Sequence, residues 1–170
     1  MPLVDTSLLT KIRRNHGLEH ATVHVLTRRL GRMSLVGRSD WNGFFLYGPI
    51  DTAEVRAAAE EALQRLRQGE SELAVHPRCG TGIAVAGLLT ALAAFLAIGL
   101  DGGNSAKRFR WGAIPAAILA ATGAVILAQP LGLWLQEEYT TSGDPGNLEI
   151  KSITLQPNSR FIVHRIETTQ

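Results

Sequence analysis

The 170-residue chain has one cysteine, Cys79, so no intrachain disulfide can hold it, and a lone thiol suits a reducing compartment or a metal ligand. Its only methionines are the initiator and Met33, and its two long apolar runs contain no histidine, which disfavours a haem held between membrane helices. The same runs carry no ionisable side chain, the minimum for an ion pathway through a membrane. Charge of one sign is missing too. With 17 basic against 15 acidic residues the net charge is only +2, which gives no footprint for nucleic acid. The N-terminal stretch MPLVDTSLLTKIRRNHG has no apolar segment ahead of a small-residue cleavage site, so no cleavable signal peptide is expected.

What the chain does have is an uneven distribution of its apolar residues, 45% of the total. From Gly82 to Leu100, GIAVAGLLTALAAFLAIGL, there is no charge over a length sufficient to cross a hydrocarbon core of about 30 Å. A second uncharged run, Trp111 to Gln136, has Trp111 and Trp134 near its ends, where interfacial aromatics belong. Both predict membrane helices. The competing assignment is a pair of buried core helices, but such helices seldom run a membrane thickness without one charge.

Small residues on these spans, Gly87, Ala91, Ala94 and Gly99 on the first and Ala116, Ala120 and Gly123 on the second, predict close packing on each other or on a partner. The connecting loop holds Lys107, Arg108 and Arg110, which nearly cancels the basic residues flanking the pair. Both termini are expected in the cytoplasm, since a polar domain without a signal peptide stays where it is made, although the basic loop opposes this. The expected location is therefore the inner (cytoplasmic) membrane of a bacterium, multi-pass.

Around this hairpin the sequence predicts an α+β fold: a small αββαβ-type domain over 1–81, the two membrane helices over 82–136 with a basic loop at 101–110, and a C-terminal β-hairpin over 147–170 packing on the first domain. The first helix is expected from about Asp5 to Leu30, capped by Asp5 or Ser7 and stopped by Gly31. Gly17 inside it costs roughly 1 kcal/mol relative to alanine, which suggests that a backbone or ligand comes close there. A hairpin is expected around Asp40-Trp41-Asn42-Gly43, and a helix from Thr52 to Gln68 with Asp51 and Glu54 at its start and Gly69 as its stop. ELAVH (Glu72 to His76) alternates like a strand. TTSGDPGN reads as a flexible linker, and LEIKSITLQ and RFIVHRIET flank a turn at Pro157-Asn158-Ser159.

Three of the five histidines fall within NHGLEHATVH, Asn15 to His24. On a helix His16 and His20 are one turn apart on the same face and can close on one ion, while Glu19 stands beside them as a base for a metal-bound water. A polar helix face is the alternative. His24 lies eight residues, about 12 Å, from His16, too far for one ion to bind both, and suits a supporting or interface role. His76 and Cys79, in HPRCGTG, sit at i and i+3 in a Pro/Gly turn with knuckle-type ligand spacing. Two histidines of a helix with His76 or Cys79 supply the donors of a catalytic zinc site, or of a closed structural one if both bind. His164 reads as a structural residue of the last strand.

HGLEH, His16 to His20, resembles the inverted zinc signature of the inverzincin peptidases. That resemblance implies zinc on His16 and His20 and water activation by Glu19. NHGLEHATVH with HPRCGTG ahead of two membrane helices is also similar to an uncharacterised bacterial membrane-protein family of unknown function, a resemblance spanning most of residues 1–82. The expectation is a membrane-anchored metal-binding protein, zinc being the cofactor, that acts as a hydrolase or peptidase at the membrane surface. The alternative is a non-enzymatic membrane subunit with a structural metal site or none. Its expected partners are the lipid bilayer and a membrane protein or a second copy of itself, without nucleic acid.

Overall fold

The structure, a computed structural model, describes residues 7–31, 33–100, 111–157 and 161–170. The cap at Asp5, the basic loop 101–110, and Asn158 and Ser159 of the last turn lie outside the described residues. The chain divides into two units, one made of residues 1–76 and 137–170 and the other of residues 77–136.

The first unit is α+β. Helix α1 is Ser7–Leu30, and strands β1 (Val36–Asp40) and β2 (Gly43–Tyr47) form the expected hairpin. Its two-residue turn is Trp41-Asn42, with Asp40 paired to Gly43, so glycine serves as the first strand residue, at φ 138°. Asp40 Oδ1 fixes the turn by accepting the Asn42 N–H at 2.8 Å. Helix α2 is Thr52–Arg67; Asp51 caps it through the Ala53 N–H at 2.7 Å, and Gly69 leaves it with φ 93°.

ELAVH, with its strand-like alternation, instead begins as a 3-10 turn over Ser71–Ala74. Ala74 is buried in the core beside α1, and the sheet is completed from elsewhere in the chain. Strands β3 (Glu149–Leu155) and β4 (Val163–Thr169) do this, giving the order β1-β2-β4-β3, antiparallel throughout. The C-terminal hairpin is therefore hydrogen-bonded into the sheet, with Phe44 of β2 opposite Ile166 of β4. Period-2 alternation puts Phe44, Leu46 and Ile166 on the face that α1 and α2 cover, where they meet Leu18, Val25, Leu26, Val55, Ala59 and Leu63. Each fully buried large side chain here contributes about 1.5–3 kcal/mol.

Arg165, on the opposite face of β4, grips Asp40 with two bonds of 2.8 and 3.0 Å and lies over the Phe45 ring at 4.4 Å. Burial would raise the Asp40 carboxyl, but the Arg165 guanidinium and the Asn42 N–H outweigh it and hold the group below its ordinary value.

TTSGDPGN is not a free linker. Thr141 is buried, Ser142 N–H donates to the Arg13 carbonyl at 3.0 Å, and a Cβ on Gly17 would overlap the Ser142 carbonyl oxygen. The glycine inside α1 thus marks a backbone crossing. Arg13 secures the same strap through the Glu138 and Thr141 carbonyls at 2.9 and 3.1 Å.

The second unit consists of α3 (Gly80–Leu100), a 3-10 turn at Trp111–Ala113 and α4 (Ile114–Leu135), which packs on α3. Two stretches, Gly80–Gly99 and Trp111–Thr140, are long and apolar enough to cross a membrane. The packed stripe of α4 is Ala117, Ala124, Ala128 and Gly132, and a Cβ on Gly132 would stand 2.9 Å from the Gly82 Cα. Gly87, Gly99 and Gly123, expected to pack on the other span or on a partner, have open space around them. On an Ala/Gly-rich helix several stripes are small enough to pack, and composition does not choose among them. The outward side chains are large: Ile83, Leu88, Phe95 and Leu119 are each at least 70% exposed.

Candidate metal centre

Helix α1 presents His16, His20 and His24 along one side, one turn apart, and the segment that follows the 3-10 turn brings His76 to them. The ring centroids form a line: His16 to His20 at 4.4 Å, His20 to His76 at 5.8 Å, and His76 to His24 at 4.8 Å. One ring nitrogen of His16 and one of His20 lie within 4.8 Å of each other. A tetrahedral ion about 2.0–2.1 Å from two imidazole nitrogens sets their ring centroids roughly 5 Å apart, so the spacings straddle the value a shared ion needs.

The main chain fixes which nitrogen each ring offers. His16 Nδ1 is 2.9 Å from the Thr140 carbonyl oxygen and His20 Nδ1 is 2.7 Å from that of Ala74. A carbonyl can only accept, so both Nδ1 atoms carry the proton and each neutral ring keeps its lone pair on Nε2. This is the arrangement by which metal-binding histidines are oriented. His24 is held the other way: its Nε2 donates to the Val75 carbonyl at 2.9 Å, which leaves the lone pair on Nδ1. The 3-10 turn that replaces the expected strand thus ends by supplying two consecutive carbonyls, of Ala74 and Val75, to two histidines of α1.

Glu19 is buried and its carboxylate is turned to β1. It accepts the Ser39 hydroxyl at 2.5 Å, and a Cβ on Gly37 would overlap it. His20 is buried and His16 and His76 are half-buried. Cys79 belongs to the second unit, three residues along the chain from His76, where the Thr81 N–H points at its Sγ at 3.4 Å. His164, read as structural from the sequence, is buried on β4 with its Nε2 3.0 Å from the Thr52 hydroxyl. Burial lowers its pKa below the ordinary value, an effect that the Asp51 charge partly offsets. Sequence reasoning missed the carbonyl partners and the pairing of His24 with His76. The i, i+8 spacing of His16 and His24 was the visible signal for the latter, but it said nothing about what lies opposite.

Residues 11–153 match the model of a family described as a domain of unknown function, DUF6391. The chain belongs to this family. It is also similar to an uncharacterised protein of Picosynechococcus sp., with 40% identity over 159 residues that cover 84% of this chain and 71% of the relative. No solved structure matches the chain.

Proposed function

We propose that this DUF6391 protein is a membrane-anchored metal-binding protein whose divalent ion, zinc by donor type, is held by His16 and His20 and completed by His76 or Cys79. The observation that carries the reading is the pair of Nδ1–H bonds to the Thr140 and Ala74 carbonyls, which aims two lone pairs from one side of α1. Imidazole nitrogen and thiolate sulfur are the donors that zinc prefers. Cys79 enters on its sequence spacing from His76 alone. Mass-spectrometric metal analysis of the detergent-purified protein tests the reading. About one equivalent of zinc supports it, and the absence of bound transition metal after zinc-replete growth overturns it.

The hydrolytic extension of this reading gives Glu19 the base role that the HGLEH resemblance implies, for a peptidase or related hydrolase at the membrane surface. The non-enzymatic alternative keeps the metal as a structural knot, and the bond from Ser39 to Glu19 favours it, because that bond engages one carboxylate oxygen. Glu19→Gln separates the two.

Membrane residence as a two-span protein of the bacterial inner membrane is supported by two features. The outward Ile83, Leu88, Phe95 and Leu119 form apolar surface on a scale that soluble monomers rarely expose. In addition, β2 and β4 are hydrogen-bonded neighbours although the two apolar helices separate them in the chain. Both strands must lie on one side of a bilayer, which requires an even number of crossings. The bilayer is the partner assigned to the outward side chains, with a membrane protein or a second copy as further candidates. Extraction with alkaline carbonate tests this: the protein should stay with the membrane pellet, and its release would mean that the apolar helices do not span.

A further inference from the structure

We infer that the histidine line holds a second cation position, formed by His24 and His76, beside the one on His16 and His20. This inference rests on the metal reading above and extends it to a residue which that reading leaves unused. His24 is eight residues from His16, so on a rise of about 1.5 Å per residue the two cannot share an ion. His24 is nevertheless neither stray nor freely rotating: the Val75 carbonyl anchors its Nε2, and its ring meets that of His76 with centroids 4.8 Å apart and planes at 62°. The separation is close to the roughly 5 Å that a tetrahedral ion imposes on two imidazoles.

The proton inventory supports a division into two pairs. A neutral imidazole has one lone pair, because its other nitrogen carries the proton, so each ring serves one ion. His16 and His20 are committed through Nδ1–H bonds to the Thr140 and Ala74 carbonyls, and both aim Nε2. His24 is committed through the opposite nitrogen and aims Nδ1. Reversal of the tautomer one turn along the same helix is what two separately oriented positions need, whereas one site with a spare histidine does not require it. His76 then serves the second ion, and His16 and His20 hold the first.

Both rings of the second position, His24 and His76, are half-buried, whereas His20 of the first is buried, so the second position binds more weakly. It suits a soft or borderline divalent ion such as Zn²⁺ or Co²⁺ in exchange with solution. No bond to substrate forms or breaks in the inference: it concerns occupancy alone.

The test is equilibrium dialysis of the full-length protein in detergent against increasing ZnCl2, with bound zinc counted per chain by mass spectrometry. Wild type should show two classes, the weaker saturating at about two equivalents in total. His24→Gln should lose the weaker class and keep the tighter one, because a glutamine amide can still donate to the Val75 carbonyl but is a poor ligand. His24→Ala provides a second variant. A wild type that saturates at one equivalent, or a His24→Gln protein that still takes up two, overturns the second position and leaves the first standing. A wild type that binds no zinc, with His16→Ala indistinguishable from it, overturns the metal reading itself.

Discussion

Gly17→Ala places a methyl group where α1 crosses the returning strap of residues 140–143. In an exposed helix the change would stabilise the protein by about 1 kcal/mol, because alanine is the better helix former. Here the new Cβ overlaps the Ser142 carbonyl oxygen, and main chain cannot swing aside like the tip of a long side chain. Overpacking of this kind costs about 1–3 kcal/mol. Loss of the 3.0 Å bond from Ser142 N–H to the Arg13 carbonyl adds about 0.5–1.5 kcal/mol. After the propensity gain, the net destabilisation lies between about 0.5 and 3.5 kcal/mol. A functional consequence follows from the same displacement. Thr140, whose carbonyl orients the His16 ring, is two residues from Ser142, and loss of such an orienting partner weakens metal binding about 10–100-fold. Thermal unfolding in detergent and a zinc competition titration against a chromophoric chelator give the two readouts. A Gly17→Ala protein that melts at or above the wild-type temperature and binds zinc equally well would refute the crossing and its link to His16.

His16→Ala and His20→Ala should each abolish stoichiometric zinc in the purified protein, as read by mass spectrometry. Glu19→Gln should keep zinc and fold, and should lose hydrolysis of a peptide substrate panel only if the protein is an enzyme. Gly132→Leu should destabilise the apolar hairpin, since its side chain would meet the Gly82 backbone, whereas Gly87→Leu should melt like wild type in detergent. For His164 the folded pKa lies below the unfolded value of about 6.5, so the unfolded chain takes up the proton first. Its contribution is therefore a loss of stability as pH falls from neutral through 6.5 toward the folded pKa. His164→Gln should flatten that part of a urea-midpoint profile between pH 7 and 5.

The elements with strong local signals were legible in the sequence. Helix α2 announces itself through Asp51, an alanine-rich interior and Gly69, because capping chemistry is decided within a few residues; Asn42-Gly43 marks the β1–β2 hairpin, although the turn itself is Trp41-Asn42 and Gly43 opens β2. The apolar helices were equally plain. What could not be read was set by partners distant in the chain. TTSGDPGN has the composition of a linker, and only the groove at Gly17, some 125 positions earlier, makes it a bound strap. The packed stripe on α4 was invisible for a related reason. Small residues occur on several sides of both helices, and the choice is made by shape.

The histidines show the same division between local and distant information. Helical periodicity alone put His16 and His20 on one side of α1, and this is as far as spacing reaches. Whether those rings are ligands depends on which nitrogen holds the proton, which is decided by carbonyls 124 and 54 positions away. ELAVH illustrates the cost of a short-range rule: Leu73 and Val75 alternate with Glu72, the small Ala74 and His76 as in a strand, yet the segment forms a tight turn in which Ala74 packs into the core beside α1. Had the segment been extended, alternate carbonyls would point to opposite sides. His20 and His24 take the successive carbonyls of Ala74 and Val75, and the turn leaves His76 close to both rings. A substitution that favours extended backbone there, such as Ala74→Val, should therefore weaken metal binding without touching a ligand. A zinc affinity unchanged in that variant would mean that the histidines are positioned by α1 alone.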